Sequence, residues 1–332
     1  MKTREVKLGE VANVKGGKRI PKGIGLVNIP NGHPYIRVRD LNNKRLLELD
    51  NSYEYVDNET QKVISKYTVK TGDVVLSIVG TIGLVAIVGR TLDGANLTEN
   101  CVRLSSFHGV NRDFLYYYLR SDCGQQEIRC GTVGAVQAKL PIKNIQNIAI
   151  NLPDYTTQER IASLLLSIDR KIELNQKIND NLEQQAVTYF QELYINNANP
   201  MWQIGTISDL GTVGGSTPSK TKPEYYTNNG IAWITPKDLS INKSKFISHG
   251  ENDITELGLK NSSATVMPKG TVLFSSRAPI GYIAIASNEV TTNQGFKSVV
   301  PYLEIGTAFV YFFLKHSLPV IESAASGSTF KE

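Results

Sequence analysis

Gln158-Glu159-Arg160-Ile161-Ala162-Ser163-Leu164-Leu165-Leu166-Ser167-Ile168-Asp169-Arg170-Lys171-Ile172 opens a stretch, continuing to Asn196, whose reading decides the fold. Ile161, Ile168, Asn175, Leu182 and Tyr189 fall seven apart, and Leu165, Ile172, Asn179, Ala186 and Leu193 each follow by four. That is a heptad seam. No Pro or Gly interrupts it. Thr156 or Thr157 is placed to cap its start, with Glu159 and Arg160 in the first turn, and Asn196, Asn197 and Pro200 close it. The spacing predicts one helix over 158–196, about 58 Å long at ~1.5 Å per residue. Such a seam calls for cover from another long helix of this chain, a second copy or a partner protein. The two Asn in mid-seam would fix the register of that pairing. The plain alternative is a surface helix packed on its own domain.

The sequence before this helix is repeated after it, and such self-similarity is read before any local motif. Tyr35-Ile36-Arg37-Val38-Arg39-Asp40-Leu41 returns as Trp233-Ile234-Thr235-Pro236-Lys237-Asp238-Leu239. Gly72-Asp73-Val74-Val75-Leu76-Ser77 returns as Gly270-Thr271-Val272-Leu273-Phe274-Ser275, and Ile82-Gly83 as Ile280-Gly281. Phe114-Leu115-Tyr116-Tyr117-Tyr118-Leu119 returns as Phe309-Val310-Tyr311-Phe312-Phe313-Leu314. Leu8-Gly9-Glu10-Val11 with Gly16-Gly17 matches Ile204-Gly205-Thr206-Ile207 with Gly214-Gly215. Each unit shows short strands rich in Val, Ile and Tyr between Gly, Asn, Asp and Pro, then a late helix. Equivalents of Leu140 to Asn196 do not follow the second unit.

The 332 residues suit two domains, each able to bury a core. The net charge of +5 is uneven: residues 1–157 hold 21 Lys and Arg against 15 Asp and Glu, the helix 4 against 6, and the remainder 11 against 10. A basic first domain is compatible with a polyanion partner. Cys101, Cys123 and Cys130 are odd in number and lack CxxC spacing, which suits reduced thiols in a cytoplasmic protein. Met1 to Glu10 has no apolar signal core, and Val74 to Gly89 is too short for a membrane span, so no membrane partner is expected.

Pro153-Asp154 followed by Asp169-Arg170-Lys171 fits the spacing of a metal-dependent nuclease signature. That chemistry needs carboxylates converging from adjacent strands, whereas Asp169 and Lys171 fall within the helix. No Walker loop, dinucleotide loop, His cluster or adenine-methyltransferase pocket motif is present, so no catalytic residue and no metal ligand is assigned. The loops favour nucleic acid. Lys15, Lys18, Arg19 and Lys22 surround Gly16-Gly17, while Arg37, Arg39 and Lys44 flank the next strand. The second unit places Thr217, Ser219 and Lys220 after its Gly-Gly turn, then Lys237, Arg277, Asn293 and Gln294. Lys and Arg neutralise phosphates, and Arg, Lys, Asn and Gln can pair with base edges.

The combination resembles the specificity (S) subunit of type I restriction-modification enzymes. The resemblance is carried by Lys7-Leu8-Gly9-Glu10 with its Gly-Gly turn, the repeated strands around Arg37 and Lys237, Gly72-Asp73-Val74-Val75 and its repeat, and Gln158-Glu159-Arg160-Ile161-Ala162 leading to Ile168-Asp169-Arg170-Lys171-Ile172. It implies an α+β, mixed α/β fold with two repeated target-recognition domains, 1–157 and 197–332, joined by a coiled-coil-forming helix at 158–196. It also implies a double-stranded DNA partner, methyltransferase (M) subunits docked on the helix, and a restriction/translocase (R) subunit reached through the complex. The chain itself would be non-catalytic and hold no cofactor, AdoMet, ATP and Mg²⁺ belonging to its partners. The family's second long helix is missing here, which reads as a C-terminal truncation. A scaffold that binds methyltransferase, or a homodimer paired through the helix, is therefore the alternative, and the nuclease of Asp154, Asp169 and Lys171 the third.

Overall fold

The computed structural model describes residues 3–41, 44–134, 136–214, 222–277 and 279–325. The chain divides into two compact units, Met1–Lys177 and Ile178–Glu332. The first contains β1 (Thr3–Lys7), α1 (Leu8–Val11), β2 (Asn13–Gly16), β3 (Pro34–Ile36), β4 (Leu46–Leu47), β5 (Glu54–Tyr55), α2 (Asn58–Ile64), β6 (Val74–Ser77), β7 (Val85–Val88), β8 (Asn96–Leu97) and β9 (Cys101–Ser105). It goes on through α3 (Arg112–Arg120), α4 (Asp122–Gly131), α5 (Ile142–Gln146) and β10 (Ala149–Pro153) into α6 (Tyr155–Phe190). The second unit begins within α6 and holds β11 (Gly211–Gly214), β12 (Tyr226–Thr227), β13 (Ile231–Ile234), α7 (Pro236–Ile241), β14 (Phe246–Ile247), β15 (Asn252–Ile254) and α8 (Glu256–Lys260). β16 (Val272–Ser276), β17 (Ile280–Ala286), β18 (Thr291–Thr292), β19 (Ser298–Pro301) and α9 (Thr307–Ala324) complete it.

The repeat in the sequence is a repeat of topology. Among the described residues the first unit's main sheet runs β2-β9-β6-β7-β4 and the second's runs β11-β19-β16-β17-β14. A smaller sheet, β5-β3-β8 in the first unit and β12-β15-β13-β18 in the second, accompanies each. The uncharged run from Val74 supplies β6 and β7, paired antiparallel and buried on both faces. Alternation along these strands divides two cores: Val74, Leu76, Val85 and Ile87 point into the core shared with α3, while Val75, Ala86 and Val88 point into the other. The same division holds where Val272 and Phe274 join α9 and Leu273 joins Ala284 and Ala286.

One correspondence shifts. Val14 lies opposite Leu104, itself opposite Val74, and Val213 lies opposite Val299, itself opposite Val272. Val14 thus corresponds to Val213, and the turn closed by the Lys7 amide on Glu10 corresponds to the turn closed by the Thr206 amide on Asp209. The identity of Gly9 and Gly205 had suggested a register three residues earlier; strand pairing outweighs it.

The long helix starts at Tyr155, three residues before the expected Gln158, because the cap is Asp154. Its carboxylate accepts from the Thr157 amide at 2.9 Å and the Thr157 hydroxyl at 2.7 Å, so Thr157 is capped and does not cap. The helix ends at Phe190 and runs into a π turn over Gln191–Asn196. In the first unit Ile161 and Ala162 pack into the core, and Asp169 accepts from the Tyr117 hydroxyl at 2.7 Å. In the second unit Glu183 takes ion pairs from Lys245 and, at 2.8 Å, from Lys315, and Phe190 lies 5.6 Å from the Phe309 ring. Among the described residues no second long helix follows, and no helix is long and apolar enough to cross a membrane.

Candidate nucleic-acid interface

The residues most able to read bases meet in the second unit. β13 delivers Trp233 and Ile234, and the chain then turns at Thr235 into α7. Asp238 fixes that turn, accepting from the Thr235 amide at 2.7 Å and the Glu251 amide at 2.8 Å. Lys237 is thereby held at the exposed rim. β13 pairs in parallel with β18 through Ile234 and Thr292, which brings Asn293 and Gln294 beside it. The Ser275 hydroxyl donates to the Pro279 carbonyl at 2.8 Å and accepts from the Tyr282 amide at 2.8 Å, shaping the bend that carries Arg277. Trp233, Thr235, Lys237, Arg277, Asn293 and Gln294 line a concave cavity of about 870 Å³. The Trp233 indole nitrogen is a buried donor without a hydrogen-bond partner among the described residues.

The first unit builds the same frame with other side chains. The Arg37 amide donates to Asp40 at 2.7 Å, as the Thr235 amide does to Asp238. Burial pushes the Asp40 carboxyl up, against the Arg37 amide and the guanidinium groups of Arg37 and Arg39. Glu54 occupies on β5 the position of Asn252 on β15, each opposite the strand aromatic, Tyr35 or Trp233. Glu54 binds Arg37 closely and Arg39 at 2.6 Å, and the Arg37 hydrogen bond holds its carboxyl below the usual range. In place of Asn293 and Gln294 stand Thr98 and Glu99, the latter paired with Arg19 at 2.5 Å. Val79 stands where the second unit has Arg277, two residues after the Ser77 hydroxyl that makes the same bend.

The other basic candidates sit where solvent reaches them. Lys15, Lys18, Lys22 and Lys44 are exposed, and Lys44 pairs with Asp50 at 2.7 Å, a contact that, with Ser52, lowers the Asp50 carboxyl to about 2. Gly17 has a reason to be glycine: a Cβ there would come within 2.1 Å of the Thr98 carbonyl oxygen. That close approach lets the Lys18 amide donate to Leu97 at 2.8 Å and sets Lys18 and Arg19 beside Glu99. Thr217, Ser219 and Lys220 lie outside the described residues. Sequence reasoning missed the acidic partners Glu54, Glu99 and Glu251, and the aromatic wall of Trp233. Only the recurrence of Tyr35 as Trp233 gave a signal; the carboxylates are brought in by pairing across long separations.

The helix seam is split by the fold. Ile161 and Leu165 are half-buried and Ala186 is partly covered, whereas Ile168, Ile172, Asn175, Asn179, Leu182, Tyr189 and Leu193 are exposed. The buried edge of the helix lies beside the seam, through Gln158, Ala162, Asp169, Glu183 and Phe190. Asp154 and Asp169 do not converge: one caps the helix and the other holds Tyr117, about 22 Å apart at ~1.5 Å per residue. Among the described residues no three metal-ligating side chains come together.

Two units share one topology and carry different side chains on their corresponding rims, and comparison with known proteins gives the chain a family. The model of the type I restriction modification DNA specificity domain matches residues 2–184 and again 199–332. The chain belongs to that family. It is 44% identical over 148 residues to the type I restriction enzyme MjaIX specificity subunit of Methanocaldococcus jannaschii, covering 44% of this chain and 34% of that protein. It is 22% identical over 278 residues to the HindI specificity subunit of Haemophilus influenzae, covering 61% and 59%. The chain thus spans between about a third and three-fifths of the length of these curated relatives. The crystal structure of a type I restriction-modification S subunit from M. genitalium superposes with a TM-score of 0.59 at 15% identity, over 97% of this chain and 79% of that one, a likeness of fold.

Proposed function

We propose that this chain is a DNA-reading specificity subunit: residues 1–157 and 197–332 each read one half of a split double-stranded target. The observation that carries this reading is the substitution pattern on a constant frame. Val79, Thr98 and Glu99 in the first unit become Arg277, Asn293 and Gln294 in the second, at matching positions of matching sheets. A duplicated fold kept for stability alone has no need to vary these rim positions, whereas two unlike half-sites require it. Arg277, Lys237, Asn293 and Gln294 suit base edges; Lys15, Lys18, Lys22 and Lys44 suit phosphates, with Arg19, Arg37 and Arg39 held by carboxylates until DNA competes for them. On this reading the helix docks methyltransferase subunits and through them a restriction/translocase subunit, and the chemistry that uses AdoMet, ATP and Mg²⁺ is theirs. A mobility-shift titration against salt, with and without a methyltransferase subunit, tests the proposal. Affinity should fall linearly in log–log form with a slope of about −0.9 per neutralised phosphate. A flat response would refute DNA reading.

The open stripe of Ile168, Ile172, Leu182, Tyr189 and Leu193 favours a second reading of the helix, as a surface on which two copies pair antiparallel around Asn175 and Asn179. This assembly would present two identical first units and prefer inverted-repeat DNA.

A further inference from the structure

One rim position has the same backbone in both units and differs in the chemistry of its side chain. After β8 the Thr98 amide donates to the Ile36 carbonyl at 3.1 Å, and the Cys101 amide closes a turn on the Thr98 carbonyl at 3.1 Å. After β18 the Asn293 amide donates to the Ile234 carbonyl at 3.2 Å, and the Phe296 amide closes a turn on the Asn293 carbonyl at 3.2 Å. In each turn a side-chain oxygen of the first residue accepts from the amide of the third, Thr98 from Asn100 at 3.5 Å and Asn293 from Gly295 at 2.9 Å. The second residue, Glu99 or Gln294, is therefore set at one place on a common frame. Glutamate and glutamine share a shape, but an ionised glutamate only accepts hydrogen bonds, whereas glutamine both donates and accepts.

Glu99 accepts from Arg19 at 2.5 Å and from the Thr98 hydroxyl at 3.0 Å. Burial raises its carboxyl, but hydrogen bonds from Arg19, its own amide and Thr98 leave it lowered, so it stays an acceptor. The Arg19 side chain is 76% exposed, and an ion pair so open to solvent contributes little to stability. Stability alone thus gives no reason for a carboxylate on the rim of the more basic unit, where it repels phosphate. We propose that Glu99 and Gln294 are equivalent base-reading residues: Glu99 accepts from the N4 amino group of a cytosine once a DNA phosphate has drawn Arg19 away, and Gln294 pairs with the N6 and N7 edge of an adenine. The proposal rests on the DNA reading above and assigns the two half-sites different base pairs, C·G and A·T, at one corresponding position. Cytosine fits Glu99 because no acceptor of the same base stands beside its amino group in the major groove, whereas the adenine amino group lies next to N7, whose lone pair repels a carboxylate. Gln294 satisfies both adenine groups at once, donating to N7 and accepting from N6. It lines the same cavity as Lys237 and Arg277.

The test is selection of duplexes by the full chain from a DNA library with two randomised half-sites, for the wild type, Glu99→Gln and Gln294→Glu. Both exchanges keep side-chain shape, so the melting temperatures should stay with that of the wild type. Glu99→Gln should change one position of one half-site from C·G to A·T and leave the other half-site alone; Gln294→Glu should make the converse change in the other. Direct titration of the two duplexes should show each preference as about 5- to 150-fold and reversed by the exchange. Arg19→Ala should keep the selected bases and reduce the log–log salt slope by about 0.9, the loss of one phosphate contact. A wild type that selects a split site which neither exchange alters would overturn the assignment and leave DNA reading standing. A wild type that selects no sequence would overturn both. Loss of the C·G preference in Arg19→Ala would make Arg19 the reader and overturn the role of Glu99.

Discussion

Replacing Ile168 and Ile172 with Asp puts the role of the long helix to a direct trial. Ile168 is 49% exposed, Ile172 50%, Leu182 56% and Leu193 58%. Full burial of an Ile or Leu stabilises by ~1.5–3 kcal/mol, so covering the exposed half of each contributes ~0.8–1.5 kcal/mol. Four such side chains from each of two helices give ~6–12 kcal/mol, against an association cost of ~4–15 kcal/mol. The surplus is at most ~8 kcal/mol, which corresponds to about 1 μM, so pairing of the wild type is reversible and no tighter than micromolar. The double variant removes four contributions per pair, ~3–6 kcal/mol, and should weaken association at least about 100-fold. The half already covered sets the cost to each folded chain at ~1 kcal/mol per site, so helix content by circular dichroism should persist. Sedimentation velocity across a concentration series measures the result. A wild type that stays monomeric up to about 1 mM, or a double variant that assembles equally well, would show that this stripe does not drive self-pairing.

Other consequences follow from the rims of the two units and their supports. Lys237→Ala should lower DNA affinity by ~1–3 kcal/mol with an unchanged melt, since its side chain is 62% exposed and its ion pair with Glu251 is also exposed. Arg37→Ala should lower the melting temperature as well as DNA affinity, because the side chain is 20% exposed and its loss leaves Glu54 and buried Asp40 short of a partner, at ~1–3 kcal/mol. Gly17→Ala should cost ~3 kcal/mol or more in denaturant unfolding, the new methyl meeting backbone oxygens of Leu97 and Thr98 that have little room to withdraw. Glu183 gives a pH signature: burial raises its carboxyl, but hydrogen bonds from Lys245 and Lys315 together outweigh burial and leave it lowered. A depressed carboxyl contributes stability that is present above the unfolded value of ~4.3 and is lost as pH falls below it. The melting temperatures of wild type and Glu183→Gln should therefore differ at neutral pH and converge below about pH 4; a constant difference would show that the charge is not what stabilises this contact.

The heptad spacing from Ile161 to Leu193 and the recurrence of the Tyr35, Val74 and Phe114 segments were enough to place a long helix between two copies of one sheet-bearing unit. Such periodicities are local and record which side chains share a face. The same locality gave Lys237, Arg277, Asn293 and Gln294 as separate loop residues but could not bring them together, because the parallel pairing of β13 with β18 joins positions nearly sixty residues apart. Nor could it foresee that Glu54 would hold both Arg37 and Arg39, or that Asp154 would take the cap expected of a threonine. A seam marks where apolar side chains lie on a helix, yet burial depends on what stands opposite. Tertiary structure turned the neighbouring edge, with Ala162, Asp169, Glu183 and Phe190, toward the two units and left Ile168, Ile172, Leu182 and Leu193 open to solvent. Sequence thus determined the elements, their repetition and their apolar faces, because these follow from spacing along the chain. Which charges are neutralised and which apolar face stays uncovered among the described residues were decided by contacts between distant segments, which no spacing records.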